Sequence, residues 1–115
     1  MEQLYELNLL NGFTDTGSAV KALRYTVATV RAKGGHVLRV THGNGEGVHG
    51  AEKLPAAVRT QLKRYKREGQ IRFFIDGEVL GDDDPTTRYL VDKYPFVRED
   101  PAWATPDPTY TVVCI

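Results

Sequence analysis

The loop His42-Gly43-Asn44-Gly45-Glu46-Gly47-Val48-His49-Gly50 holds the residues whose types and spacing best suit chemistry. Its four glycines let the backbone approach a ligand closely, and its two histidines titrate near neutral pH. The flanking sequence predicts a strand before the loop and a helix after it. Backbone N–H groups at such a junction attract anions, so phosphate is the predicted ligand. The alternative is a tight connection that needs glycine for its geometry alone.

Apolar residues at the spacing of strands and helices predict the elements that position this loop. Alternating or β-branched runs predict strands at residues 4–10, 36–41, 70–75 and 110–115. In the third strand we expect Ile71, Phe73 and Ile75 to share one face. The predicted fold is a single α/β domain whose mixed sheet of about four strands and two main helices form two layers.

Three helices are predicted between these strands. The first is capped by Thr14 or Asp15 and ends at Gly34-Gly35, and the second spans Leu54–Glu68. A short third helix, with Asp84 as its cap, is predicted over Thr86–Tyr94. The first strand, first helix and second strand form a predicted βαβ unit.

The formal net charge of zero conceals a division along the chain. Residues 1–75 contain 12 basic and 6 acidic residues, whereas residues 76–115 contain 3 basic and 9 acidic residues. Such asymmetry favours a nucleic-acid-binding surface, although an unevenly charged solvated surface is the alternative. We expect the acidic residues of segment 76–108 to shield the basic surface or compete for it.

Composition narrows the class of protein. At 115 residues and 41% hydrophobic content the chain suits one globular domain, and it contains no apolar run long enough for a membrane span. The single Cys114 excludes an internal disulfide and a multi-cysteine zinc site. We therefore expect a cytoplasmic protein with no membrane partner.

A dinucleotide site is one alternative for the glycine loop. Gly45-x-Gly47-x-x-Gly50 matches the dinucleotide-binding fingerprint, and Asp76 follows the next predicted strand. The fingerprint requires the strand to run straight into the first glycine, whereas Thr41-His42-Gly43-Asn44 intervenes here. This hypothesis therefore ranks below phosphate binding by the loop alone.

The segment Thr41-His42-Gly43-Asn44-Gly45-Glu46-Gly47 resembles the H-G-x-G-x-G signature of the small MutS-related (Smr) domain family. Residues 6–14 resemble the family's N-terminal L-D-x-H-G motif, with Asn8 in place of its aspartate and Asn11 in place of its histidine. Residues 109–115 are similar to the family's closing strand. The resemblance covers residues 4–75 and 109–115 and leaves 76–108 as an acidic insertion.

The resemblance implies a fold similar to the C-terminal domain of bacterial initiation factor 3 and a role in nicking or cleaving DNA or RNA. It makes His42 the candidate acid or base for phosphodiester hydrolysis, with Asn11 and Asn8 beside it. Neither asparagine exchanges a proton at neutral pH. The phosphate would contact residues of the loop and of the second helix: Gly43, Asn44, Gly45, Gly47, His49, Arg59 and Lys63.

Three functions follow as hypotheses. The domain is a nuclease, for which Mg²⁺ is a candidate cofactor, or a nucleic-acid-binding module without catalysis, or a protein-interaction domain. DNA or RNA is the expected partner, and no protein-bound metal site is predicted. Tyr94, Phe96 and Trp103 are expected to pack segment 76–108 against the core, the alternative being a surface on which bases stack.

Overall fold

The computed structural model describes residues 3–10, 15–43, 53–81, 83–99 and 106–115. It confirms an α/β fold with a four-stranded mixed sheet and three α-helices in that part of the chain. In chain order the elements are β1 (Leu4–Asn8), α1 (Thr16–Ala32), β2 (Val37–Thr41), α2 (Leu54–Arg67), β3 (Phe73–Asp76), α3 (Pro85–Lys93) and β4 (Tyr110–Cys114). Two 3₁₀ turns, Gly77–Val79 and Pro95–Glu99, flank α3.

The strand order is β1-β2-β4-β3, with β1 parallel to β2 and β4 antiparallel to both of its neighbours. Strands β1, β2 and β3 therefore point the same way. Their carboxyl ends meet the start of β4 at one end of the sheet, which we call the carboxyl end. The glycine loop begins there, directly after β2.

Helix α1 shows how local sequence sets these elements. The Asp15 carboxylate accepts a hydrogen bond from the Ser18 backbone N–H at 2.6 Å, so Asp15 is the cap. The helix ends where Gly34 takes a φ of +75°, a conformation that glycine adopts without steric cost. The predicted bounds of α1 are confirmed, and α2 ends at Arg67, one residue earlier than expected.

The first face of the sheet packs against α1 and α2. Leu38 and Val40 of β2 and Val113 of β4 are buried there. The helices cover them with stripes of apolar residues spaced three or four positions apart. Those stripe residues are Leu23, Val27 and Val30 of α1 and Leu54, Val58, Leu62 and Tyr65 of α2.

The second face is covered by the described part of the acidic segment. Leu80, Leu90 and Val97 pack there against Ile75 of β3 and Val112 of β4. Residues 77–81 and 83–99 of the segment lie on the opposite side of the sheet from α1 and α2 and do not shield those helices. They form a hydrophobic core instead. Asp76, the first residue of the segment, does pair with Arg59 of α2.

The aromatic residues near the end of α3 belong to this second core. Tyr94 is buried and stacks on His36 with ring centroids 5.0 Å apart, and Phe96 packs beside Tyr94. This confirms the expected packing role of Tyr94 and Phe96. Trp103 lies outside the described residues.

The third strand is shorter than predicted, and its apolar residues divide between the two cores. Ile71 packs in the first core, whereas Phe73 and Ile75 belong to the second. The chain bends at Arg72, and β3 begins only at Phe73. The predicted common face for Ile71, Phe73 and Ile75 is therefore wrong, because the bend interrupts the alternation of a strand.

The backbone of residues 107 and 110 lies very close to Gly77, so a substitution at Gly77 tests the packing of the second face. A Cβ at residue 77 would lie 2.5 Å from the Tyr110 carbonyl oxygen and closer still to that of Asp107. We predict that Gly77→Ala lowers the free energy of unfolding by about 1–3 kcal/mol, because backbone must move to make room. Urea denaturation measures the change.

Gly81→Ala is the matched control, since a Cβ at residue 81 meets no atom within 4 Å. Its stability should be unchanged or slightly raised, because alanine restricts the unfolded chain. Equal destabilisation by both substitutions would contradict the close approach at Gly77.

Candidate functional site

His42 leaves the carboxyl end of β2 and points into the protein. Its exposed fraction is 0%. Its backbone N–H donates to the Thr109 carbonyl at 2.9 Å, and the N–H of Gly43 donates to the same oxygen at 2.9 Å. The start of the glycine loop is thus fastened to the residue that precedes β4.

Both ring nitrogens of His42 have protein partners. Nδ1 lies 2.6 Å from the Gly43 carbonyl oxygen, and Nε2 lies 2.8 Å from the Thr111 hydroxyl oxygen. A carbonyl oxygen only accepts, so Nδ1 carries the proton and donates, and Nε2 accepts from the hydroxyl. The ring is satisfied as a neutral imidazole.

The surroundings of His42 favour that neutral form. Burial is the main cause that lowers its pKa below the ordinary histidine value; the hydrogen bond to Gly43 opposes the shift. The Arg59 guanidinium lowers the pKa further, and the Asp76 carboxylate opposes it. A buried, neutral imidazole with both nitrogens engaged is typical of a structural residue rather than of an acid or base.

A charged pair lies beside this histidine. Arg59 Nε of α2 is 3.2 Å from the Asp76 carboxylate at the end of β3, and both side chains are about one-third exposed. Asp76 is paired with Thr111 in the β3–β4 register, so β2, β3, β4 and α2 each contribute one residue to the cluster. Thr111 interrupts a run of apolar residues in a buried strand, and that polar interruption is the signal that sequence reasoning missed.

The structure brings together only some of the predicted site residues. Asn8 is paired with Thr41, and alternation along β1 and β2 places its side chain on the sheet face opposite His42. Its amide oxygen accepts from the Leu10 N–H at 2.8 Å, so Asn8 forms a local turn. The remaining predicted residues Asn11, Asn44, Gly45, Gly47 and His49 lie outside the described residues.

Gly43 has a role that differs from the predicted phosphate contact. Its φ is +74°, and a Cβ there would lie 3.2 Å from Leu10 Cδ2, so glycine suits the position. Its N–H is already bonded to Thr109. Gly43 therefore redirects the chain out of β2, and its amide is occupied within the protein.

The outer surface of α1 and α2 is strongly cationic. Between residues 15–33 and 53–68 there are ten basic residues and two acidic ones, Asp15 and Glu68. The basic residues, all at least partly exposed, are Lys21, Arg24, Arg31, Lys33, Lys53, Arg59, Lys63, Arg64, Lys66 and Arg67. We call this the cationic layer.

A groove of about 190 Å³ runs between the two helices of the cationic layer. Lys21 and Arg24 line it from α1, and Arg64 lines it from α2. Glu68 also lines the groove and pairs with Arg64 at 3.4 Å. Three cations of the layer, two from α1 and one from α2, thus line a shared surface depression.

Two absences apply to the described ranges of the chain. None of its helices combines the length and apolar character that crossing a membrane requires. Within the same ranges no three His, Cys, Asp or Glu side chains converge as a metal site would require.

Comparisons of the chain with family models, with curated proteins and with solved structures found no match.

The buried histidine predicts a pH dependence of stability. Its pKa is lowered in the folded state, so the unfolded chain binds a proton more readily near the ordinary value of about 6.5. Stability should be full above that value and fall as the pH drops below it, by at most about 1.4 kcal/mol per pH unit. Urea denaturation between pH 7.5 and 5.5 measures the slope.

Between pH 7.5 and 5.5 the free energy of unfolding of His42→Gln should change less with pH than that of the wild-type protein. His36→Gln should retain the pH dependence that His42 contributes. If the wild-type and His42→Gln curves ran parallel, the pKa of His42 would be the same in the folded and unfolded states.

Proposed function

We propose that this domain binds nucleic acid through the cationic layer on α1 and α2. The single observation that carries the proposal is the ten-to-two excess of basic over acidic residues on one side of the sheet. Contacts from Lys and Arg to backbone phosphates supply most of the affinity of non-specific nucleic-acid binding. The resemblance of the glycine loop to the Smr signature supports the same function.

Two described acidic residues, Asp76 and Glu68, pair with Arg59 and Arg64, and they offset only part of this charge. The segment of the second face, residues 77–81 and 83–99, contains five acidic and three basic residues and lies across the sheet from the cationic layer. Repulsion by these carboxylates favours binding of a polyanion on the helical side. The domain therefore presents two faces of opposite charge.

Lys63 is the best-placed residue of the predicted set. It lies one turn after Arg59 on α2, and its side chain is exposed. Arg59 is bound to Asp76, so its charge is partly neutralised. Lys63 and its neighbour Lys66 present unburied ammonium groups on the flank of α2 that faces β3.

A reversal of charge at Lys63 tests the proposal. We predict that Lys63→Glu weakens binding to single- and double-stranded DNA and to RNA, and makes the plot of log K against log salt concentration shallower by about one unit. Fluorescence anisotropy of labelled oligonucleotides measures both quantities. Arg88→Glu, at an exposed residue of α3 on the second face of the sheet, changes the net charge equally and should have a smaller effect.

Equal weakening by the two variants would mean that only net charge matters. If the wild-type protein bound no oligonucleotide more tightly at low salt than at high salt, the proposal would fail and the protein-interaction hypothesis would be favoured.

We infer that His42 serves binding rather than hydrolysis. Its ring is buried and both nitrogens are engaged, so a phosphodiester has no free nitrogen to contact in this arrangement. Asn8, a candidate partner in catalysis, lies on the other face of the sheet. His42 anchors the base of the loop, and phosphate contacts by Asn44, Gly45, Gly47 and His49 remain predictions.

The corresponding prediction concerns cleavage. Nicked, branched and single-stranded DNA, and RNA, should remain intact after incubation with the purified protein, with or without Mg²⁺, as judged on denaturing gels. The buried imidazole cannot exchange a proton with the substrate, which is the physical reason. Cleavage that disappears in His42→Ala would overturn this inference and support the nuclease hypothesis.

A further inference from the structure

An open cavity of about 420 Å³ lies at the side of the sheet where β3 is the last strand. Arg72 and Phe73 line it from the start of β3, and Pro85, Thr86 and Tyr89 line it from α3. The cavity is separate from the groove between α1 and α2 and from the His42 cluster. Neither of the functions discussed above uses it.

An aromatic pair forms the floor of this cavity. The rings of Phe73 and Tyr89 meet edge to face, with centroids 5.8 Å apart and an interplanar angle of 67°. Phe73 packs against the second core, whereas Tyr89 is 53% exposed. Lys93 Nζ lies 5.7 Å from the centre of the Tyr89 ring and 3.5 Å from its hydroxyl oxygen. The Tyr89 ring therefore contacts both Phe73 and Lys93 and still exposes part of its surface to solvent.

The Arg72 side chain lines the cavity beside this aromatic pair. Arg72 is exposed and forms no ion pair with any described residue. The contact of Arg59 with Asp76 places the first half of α2 beside the end of β3, and the short link 68–72 joins the end of α2 to the start of β3. Helix α2 therefore runs back along β3, and its residues Lys63 and Lys66 lead from Asp76 toward Arg72.

Three described carboxylates lie at or near the ends of α3, outside the lining of the cavity. The Asp84 carboxylate caps α3 by accepting from the N–H and hydroxyl of Thr87, at 2.8 and 2.7 Å. Asp83 and Asp92 are exposed near the two ends of α3. Along α3 these three carboxylates outnumber the two cations, Arg88 and Lys93. An anionic strand would therefore favour Arg72 and the flank of α2 and direct a neutral group toward Tyr89.

We propose that Tyr89 and Phe73 form a stacking platform for one unpaired nucleobase, and that Arg72 contacts the adjoining phosphate. The inference rests on the proposed nucleic-acid-binding function and specifies its ligand as single-stranded. Stacking on a protein ring requires a base that is free of its own duplex, whereas phosphate contacts alone do not distinguish the two forms.

Equilibrium binding of two oligonucleotides tests the platform. One is a single strand of about ten nucleotides with a central 2-aminopurine, and the other is a blunt duplex of the same sequence. Tyr89→Ala should weaken binding of the single strand about five-fold or more, the low end of the effect of losing one base–aromatic stack, and abolish the quenching of 2-aminopurine fluorescence. Duplex affinity should not change.

Two control variants separate stacking from other effects. Tyr89→Phe keeps the ring and should retain single-strand affinity and quenching, although it lacks the hydroxyl that Lys93 contacts. Tyr25→Ala removes a 74% exposed tyrosine from α1 and should leave the quenching intact. Far-ultraviolet circular dichroism confirms that each variant is folded.

The outcomes distinguish this inference from the function on which it rests. If the wild-type protein binds both oligonucleotides and Tyr89→Ala changes neither, the platform is wrong and the nucleic-acid-binding function stands. Equal weakening of single strand and duplex also overturns the platform. If the wild-type protein binds neither oligonucleotide, the proposed function fails and the platform fails with it.

Discussion

Strand β4 is hydrogen-bonded on both sides and buried along its whole length, and the other elements are placed relative to it. Val113 contributes to the core under α1 and α2, while Val112 and Cys114 contribute to the core under α3. Because both faces of this strand are covered, neither the helical layer nor the acidic segment can leave without exposing apolar surface to water. Thr111 is the single polar residue within this buried strand, and its hydroxyl finds a partner in His42.

This constraint explains why the glycine loop begins where it does. The antiparallel direction of β4 places its first residues beside the carboxyl ends of β2 and β3. Thr109 can then accept the amides of His42 and Gly43, and Thr111 can donate to the imidazole. A histidine in a glycine-rich loop is therefore held as part of the core. The sequence of the motif suggests that His42 is an acid or base, whereas its buried hydrogen bonds give it a structural role.

The two faces of the sheet carry separate hydrophobic cores, and the layers that cover them differ in charge. The cationic layer covers the first face, and an acidic layer that also completes a hydrophobic core covers the second. The described part of the segment that interrupts the Smr resemblance is thus a structural layer rather than an appendage. At the side of the sheet where the two layers meet, Arg72 lies beside Phe73 and Tyr89, so cations and an exposed aromatic ring share one surface.

The sequence alone determined the element types and most of their bounds, because apolar periodicity, the Asp15 and Asp84 caps and Gly34 act within a few residues. It also determined the unequal distribution of charge along the chain. The tertiary structure decided that Asn8 and His42 lie on opposite faces, since that depends on strand register. It likewise decided that His42 is buried, that Asp76 pairs with Arg59 and that Ile71 leaves the face of β3. These outcomes depend on contacts between residues far apart in the chain, such as His42 with Thr111, for which local pattern carries no signal.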